Sequence, residues 1–326
     1  MKDNKGKKKT VCLKLLLLLI VVVCLIPVGQ AHYLSMKHRE QQRRLKELTE
    51  SSQKETQDTR SKLSGEDLPQ GNENPDGASQ DGTSQSGTAQ SGTNQGDTTP
   101  NGTNQGSTPP GGTTQSGAPS ETALPSFSPA PPPEPVILSK YADLYKENND
   151  LAGWLSIEGM AIDYPVMQSE EEDYYLRRDF YGNPDTHGCL YVRNKGDIAN
   201  GTNFIIYGHY MSDKTMFGTL DSYLKESFFK EHPTISFDTL YEERTYEIIA
   251  VFLSQVYYSN EDVFKYYQFY EAETQEEFDY FYENIKALSL YDTGVTAEFG
   301  DRFLTLSTCS YHVTDGRLAV VAVCKE

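Results

Sequence analysis

Residues Thr305 to Arg317 read TLSTCSYHVTDGR, an apolar run that stops on a lone cysteine with an arginine eight residues later. Such a thiol can be core filler, because free cysteine is among the most buried residue types. It can also be a nucleophile, and then it needs a partner that supplies the thiolate and a donor for the developing oxyanion. RFLTLST reads as a strand that leaves Cys309 at its C-terminal end. GRLAVVAV reads as the next strand, and the short loop between them brings Arg317 back toward the sulfur. A cation there favours the thiolate and can also bind an oxyanion. The base has to be a histidine, and the C-terminal part offers His187, His209, His232 and His312. His312 is three residues from the cysteine but lies in the loop. His187 and His232 sit in polar, turn-like surroundings, whereas His209 ends the apolar run NFIIYG at a strand terminus. On the residues alone, His209 and His312 stand level.

The elements that must position these groups are short. GWLSI, AIDYPV, GCLYVR, NFIIYG, TISFDT and RTYEIIAVFLSQV precede the two strands already named, giving eight β-like runs with Gly, Pro and Asn between them. ILSKYADLYKENND, TMFGTLDSYL and QEEFDYFYENIKALSL carry helical spacing instead. The pattern predicts a mostly β domain, a closed barrel or sandwich decorated by helices, starting near Val136. Cys189 and Cys324 read as packing residues. No CxxC pair and no spaced acidic ligand loop occurs, so neither a metal site nor a cofactor is expected.

Charge and composition divide the chain of 326 residues unevenly. Over residues 1–135, 14 Lys and Arg balance 14 Asp and Glu; residues 136–326 hold 15 against 33, so the net charge of −18 belongs to the C-terminal part. An acidic domain with no basic stripe argues against nucleic acid as a partner. Residues 1–10 form a basic segment expected in the cytoplasm. Residues 11–31 contain an uncharged run from Leu15 to Ala31, which is read as a membrane-spanning signal anchor; a cleaved signal peptide is the alternative. From 32 to 135 a charged juxtamembrane segment, read as a fraying helix, leads into a Gly/Ser/Thr/Gln/Pro-rich stretch too polar to pack. About 70 such residues have a root-mean-square reach of roughly 45 Å. The tether would therefore hold an exported domain over 136–326 clear of the bilayer.

Three separated segments, TLSTC, NFIIYGHYM followed by MFGTLDSYL, and DGRLAVVAV, resemble a sortase, and specifically the class B sortases of Gram-positive bacteria. GWLSI and the helical stretch before the cysteine strand fit the same family. The resemblance implies a closed sortase-type β-barrel and an active site of His209, Cys309 and Arg317. It implies that Cys309 attacks the carbonyl of a threonine in the C-terminal sorting signal of a surface protein, giving a thioacyl enzyme. His209 then protonates the leaving amine and deprotonates the incoming one, and Arg317 holds the threonine backbone and the oxyanion. The acceptor it implies is an amine of peptidoglycan. Tyr207 and Ser307, flanking the histidine and the cysteine, are expected to line the substrate groove. Ser310 stands where some members carry an acidic residue, and the tether is longer than is usual in the family. A secreted cysteine hydrolase, a pilin-polymerising sortase and a non-catalytic wall-binding module are the rival readings. The SxGC-type signature of L,D-transpeptidases is absent.

Overall fold

The computed structural model of the chain describes residues 3–63 and 135–324; within the first stretch, side chains are described at 26 and 28–58. Eight strands close into one barrel: β1 (Leu151–Ser156), β2 (Asp163–Gln168), β3 (Leu190–Val192), β4 (Asn203–Tyr207), β5 (Thr234–Thr239), β6 (Glu243–Gln255), β7 (Arg302–Cys309) and β8 (Gly316–Cys324). Their order around the barrel is β1-β2-β3-β4-β7-β8-β6-β5. The pairs β2–β3 and β4–β7 are parallel and the other ladders antiparallel. Each of the eight runs read from the sequence becomes one of these strands.

The pleat sends alternate residues of a strand to opposite faces, and in β7 both faces are buried. Leu304 and Leu306 pack with Phe204, Ile206 and Val320 in one cluster. Phe303 joins the other cluster, against helix α4 (Gln275–Leu288), its ring 5.4 Å from Phe278 and 5.2 Å from Phe281. The acidic helix earns this place through its spacing: Phe278, Phe281 and Ile285 fall on one face and are buried. Its start is fixed by a capping box, in which Thr274 accepts from the Glu277 amide and the Glu277 carboxylate accepts from the Thr274 amide.

Two helical expectations need correction. TMFGTLDSYL is helical only at its end, as a 3-10 turn over Leu220–Leu224. Lys214 and Met216 take φ of 66° and 51°, the left-handed region, which a continuing right-handed helix does not allow. The juxtamembrane segment, for its part, is not a fraying helix. It belongs to α1 (Asp3–Leu63), which packs against α2 (Ser139–Glu147), and Leu45 is fully buried beside Tyr141, Leu144 and Trp154. Lys46 pairs with Asp163, and Ser35 with Asp213.

Among the described residues no helix is long and apolar enough to cross a membrane. The anchor expected over 11–31 falls mainly on positions whose side chains lie outside the described ones, and the tether over 64–134 lies outside them altogether.

Candidate active site

Cys309 is the last residue of β7, and the β7–β8 ladder pairs it directly with Arg317. The turn between them is closed by the Ser310 amide donating to the Gly316 carbonyl at 2.9 Å. The alignment is thus set by a ladder that runs the length of two buried strands, where a one-residue slip would exchange the residues of the two packed faces. Cys309 and Arg317 are both half-buried. Arg317 Nη1 donates to the carbonyls of Asp315, at 3.2 Å, and Gly316, at 2.9 Å, which tethers the guanidinium at the start of β8. Among the described residues its other donors make no hydrogen bond.

His209 reaches the same corner by a different route. Parallel β4 and β7 pair Tyr207 with Ser307, and the ladder continues as the Gly208 amide donates to the Ser307 carbonyl and Thr308 Oγ1 to the Gly208 carbonyl. His209 and Cys309 each follow that last pair by two residues, so both sit at the same end of these parallel strands. Gly208 is required here: an added Cβ would lie 2.5 Å from Leu190 and 2.6 Å from Phe217. The loop that fails to become a helix folds back over this point, and the Phe217 amide donates to the His209 carbonyl at 3.0 Å.

The imidazole's own hydrogen bond runs to the Leu176 carbonyl, 2.8 Å from Nε2. A carbonyl only accepts, so Nε2 carries the proton and Nδ1 holds the free lone pair. Burial, together with the nearby charges of Arg177 and His187, holds the pKa below its ordinary 6.5, although the Leu176 bond works the other way. The ring is accordingly neutral near pH 7, with an available base.

The other expected residues are placed less uniformly. His312 is exposed in the β7–β8 loop, with Nδ1 3.0 Å from Ser310 Oγ. His232 follows the short helix α3 (Glu226–Glu231), against Phe228, and His187 is buried between two carboxylates. Tyr207 is half-buried, stacked on Tyr191 and facing the Arg193 guanidinium at 4.6 Å. Ser307 is 2% exposed, and its hydroxyl is bonded to that of Tyr266 at 2.8 Å. Its side chain is therefore committed to the packed layer rather than offered to a groove. Cys189 is buried in the cluster around Trp154, and Cys324 packs at the edge of the interior.

Tyr266 is the residue that the sequence concealed. It lies in a 3-10 turn (Tyr266–Gln268) between β6 and α4, with no motif to announce it. Its phenol is pushed up to about 12, chiefly by burial, and it feels the charge of both Arg317 and Cys309. Its geometric link to β7 is the bond to Ser307, two residues before the cysteine. A surface cleft of about 930 Å3 is lined by Tyr145, Gln168, Leu240, Arg244 and Arg302 among others and reaches none of the three candidate residues. Geometry rather than cavity size marks the site.

A thiol, a neutral imidazole with a free lone pair and a guanidinium with spare donors, gathered at one rim of a barrel, are the parts of thiol-dependent acyl transfer. Comparison with known proteins points the same way. Residues 155–325 match the sortase domain family. Sortase B of Staphylococcus aureus is 31% identical over 186 residues, 56% of this chain and 73% of that protein. Sortase B of Listeria monocytogenes is 35% identical over 173 residues, 51% of this chain and 65% of that protein. The solved Staphylococcus aureus sortase B–substrate complex superposes with a TM-score of 0.53 at 29% identity, covering 59% of this chain and 87% of that one. The chain belongs to the sortase family, within its class B transpeptidases.

Proposed function

We propose that this protein cleaves a C-terminal sorting signal after threonine and transfers the new carboxyl terminus to an amine of peptidoglycan. The observation that carries the reading is the register: one ladder pairs Cys309 with Arg317, and the parallel β4–β7 ladder ends with Tyr207 beside Ser307, two residues before His209 and Cys309 respectively. A class B relative has been captured as a substrate complex, which supports a peptide as the donor.

In the first half-reaction the thiol proton passes to His209 Nδ1, and the sulfur attacks the threonine carbonyl carbon. Arg317 donates to the resulting oxyanion. As the carbon–nitrogen bond breaks, the imidazolium returns its proton to the leaving amine, and a thioester remains on Cys309. In the second half-reaction an incoming amine attacks the thioester, gives its proton to His209 and displaces the sulfur. The Leu176 carbonyl holds the ring in one tautomer throughout, so Nδ1 serves both directions of proton transfer. Tyr207, whose face is covered by Arg193, is proposed as part of the groove wall. The basic N-terminal segment and apolar run over 11–31 are proposed to anchor the chain in the cell membrane, with the catalytic domain facing the wall.

The test is product analysis on the purified chain with sorting-signal peptides, with and without a short amine-bearing wall peptide. The proposal expects a peptide–amine conjugate that increases with acceptor concentration. Hydrolysed peptide alone, at every acceptor concentration, would make the protein a cysteine hydrolase instead.

A further inference from the structure

Away from Cys309, the side chains of three residues from two distant parts of the sequence converge where α1 meets the barrel. His38 of α1 lies 147 residues from Asp185, yet its Nδ1 is 3.0 Å from Asp185 Oδ2. His187 Nδ1 is 3.0 Å from the other oxygen of the same carboxylate. The two imidazoles stack, with centroids 4.4 Å apart and planes 14° from parallel. One donor atom from each of the three residues lies within 4.8 Å of the others. His38 and His187 are 1% and 3% exposed.

We propose that His38, Asp185 and His187 form a binding site for a zinc-type divalent cation. Three features favour an ion over a plain hydrogen-bonded cluster. The donor set, two imidazoles and one carboxylate, is one that zinc takes with a fourth position left for water. Donors about 2.1 Å from a tetrahedral ion lie about 3.4 Å from one another, so the two 3.0 Å contacts need open only slightly, while the stacked rings must turn so that their lone pairs converge. The surroundings are also prepared for it. His187 Nε2 is 3.2 Å from Asp213 Oδ2, the carboxylate–histidine arrangement that orients a metal-bound imidazole. Asp213 is in turn held by Ser35 and Thr215.

Charge agrees. Asp185 and Asp213 bring two negative charges to a half-buried seam, and a dication with two neutral imidazoles balances them. Because His38 belongs to α1 and the other two ligands to the loop before β3, the ion would fasten the membrane-proximal helix to the catalytic domain. Sequence spacing hides such a site, since only Asp185 and His187 are neighbours.

The test is calorimetric titration of zinc chloride into the untagged full-length chain in detergent, stripped with chelator, in a Cys309→Ala background that removes the competing thiol. The expected result is one saturable equivalent, accompanied by a rise in thermal midpoint. Loss of an outer-shell partner in Asp213→Asn should weaken binding by about 10–100-fold, and His38→Ala should weaken it further. His38→Cys loses the ring stack but keeps a zinc ligand, so it should restore binding; with cobalt(II) as probe it should add a thiolate charge-transfer band. His312→Ala, outside the cluster, should bind as the parent does. Absence of saturable zinc binding would overturn the proposal, as would unchanged affinity in His38→Ala or failure of His38→Cys to restore it.

Discussion

Two histidines separate the reactive corner of the barrel from the seam beneath α1, and their surroundings give them opposite characters. At the seam, burial pulls the His187 pKa down, but Asp185 and Asp213 carry it above its ordinary value, and both ring nitrogens face carboxylate oxygens. At the corner, burial prevails over one carbonyl partner, so His209 is held neutral with one nitrogen free. A side chain with both nitrogens engaged can hold two elements together, and Nδ1 lends its lone pair only by giving up its proton, as it would to a metal ion. One with a single neutral acceptor can shuttle a proton.

The sharpest way to break this contrast is to remove the corner. Cys309→Ala and His209→Ala should each abolish measurable peptide turnover while the far-UV circular dichroism stays that of the parent, since neither fills the interior. His312→Ala, although nearer the cysteine in sequence, should retain most turnover. Essential His312 with dispensable His209 would reverse the assignment.

At the seam the expected loss is in stability. Leu45 is fully buried, so Leu45→Ala should cost about 2–5 kcal/mol of docking free energy. Hydrogen exchange should show faster exchange at residues 35–52, while cleavage of a soluble peptide proceeds at the parent rate. An equal loss of turnover would mean that the two regions are coupled, not separate.

A smaller effect should follow at Arg317. Lysine keeps the charge but loses the planar fork, so Arg317→Lys should lower kcat/KM at least about tenfold, or about 1.4 kcal/mol. Parent kinetics would pass the oxyanion role to backbone amides near Cys309.

The gentlest probe is pH. A depressed His209 pKa leaves the neutral imidazole populated to below pH 6.5, so the acidic limb of kcat/KM should fall below that value. The unfolded chain would take up this proton first, near 6.5, so His209 should also lower stability as pH drops below 6.5 and on through the folded pKa. An acidic limb above 6.5 would contradict the environment described for the ring.

The strand content was legible because each strand pairs β-branched or aromatic residues with turn residues at its ends, and all eight runs appear in the barrel. Cys309 and Arg317 could be placed together because a hairpin is local. The route of His209 to them was not readable from spacing, because it depends on a parallel β4–β7 pairing across about a hundred residues. Tertiary context also defeated propensity at Met216, whose left-handed backbone lets the 210–217 loop close on His209. Tyr266 and Leu45 carried no local signal. Each acquires its role only when a distant strand or helix packs against it.

The central claim, that Cys309 is an acylated nucleophile served by His209, is tested most directly by intact-protein mass spectrometry of the chain quenched in acid during turnover of a sorting-signal peptide. The account predicts a mass increase equal to the threonine-terminated fragment less one water, mapped to Cys309 and sensitive to hydroxylamine, and depleted on adding an amine acceptor. In His209→Ala it should fail to accumulate on the same timescale. Turnover with no adduct under any quench, or an adduct on Cys189 or Cys324, would contradict it.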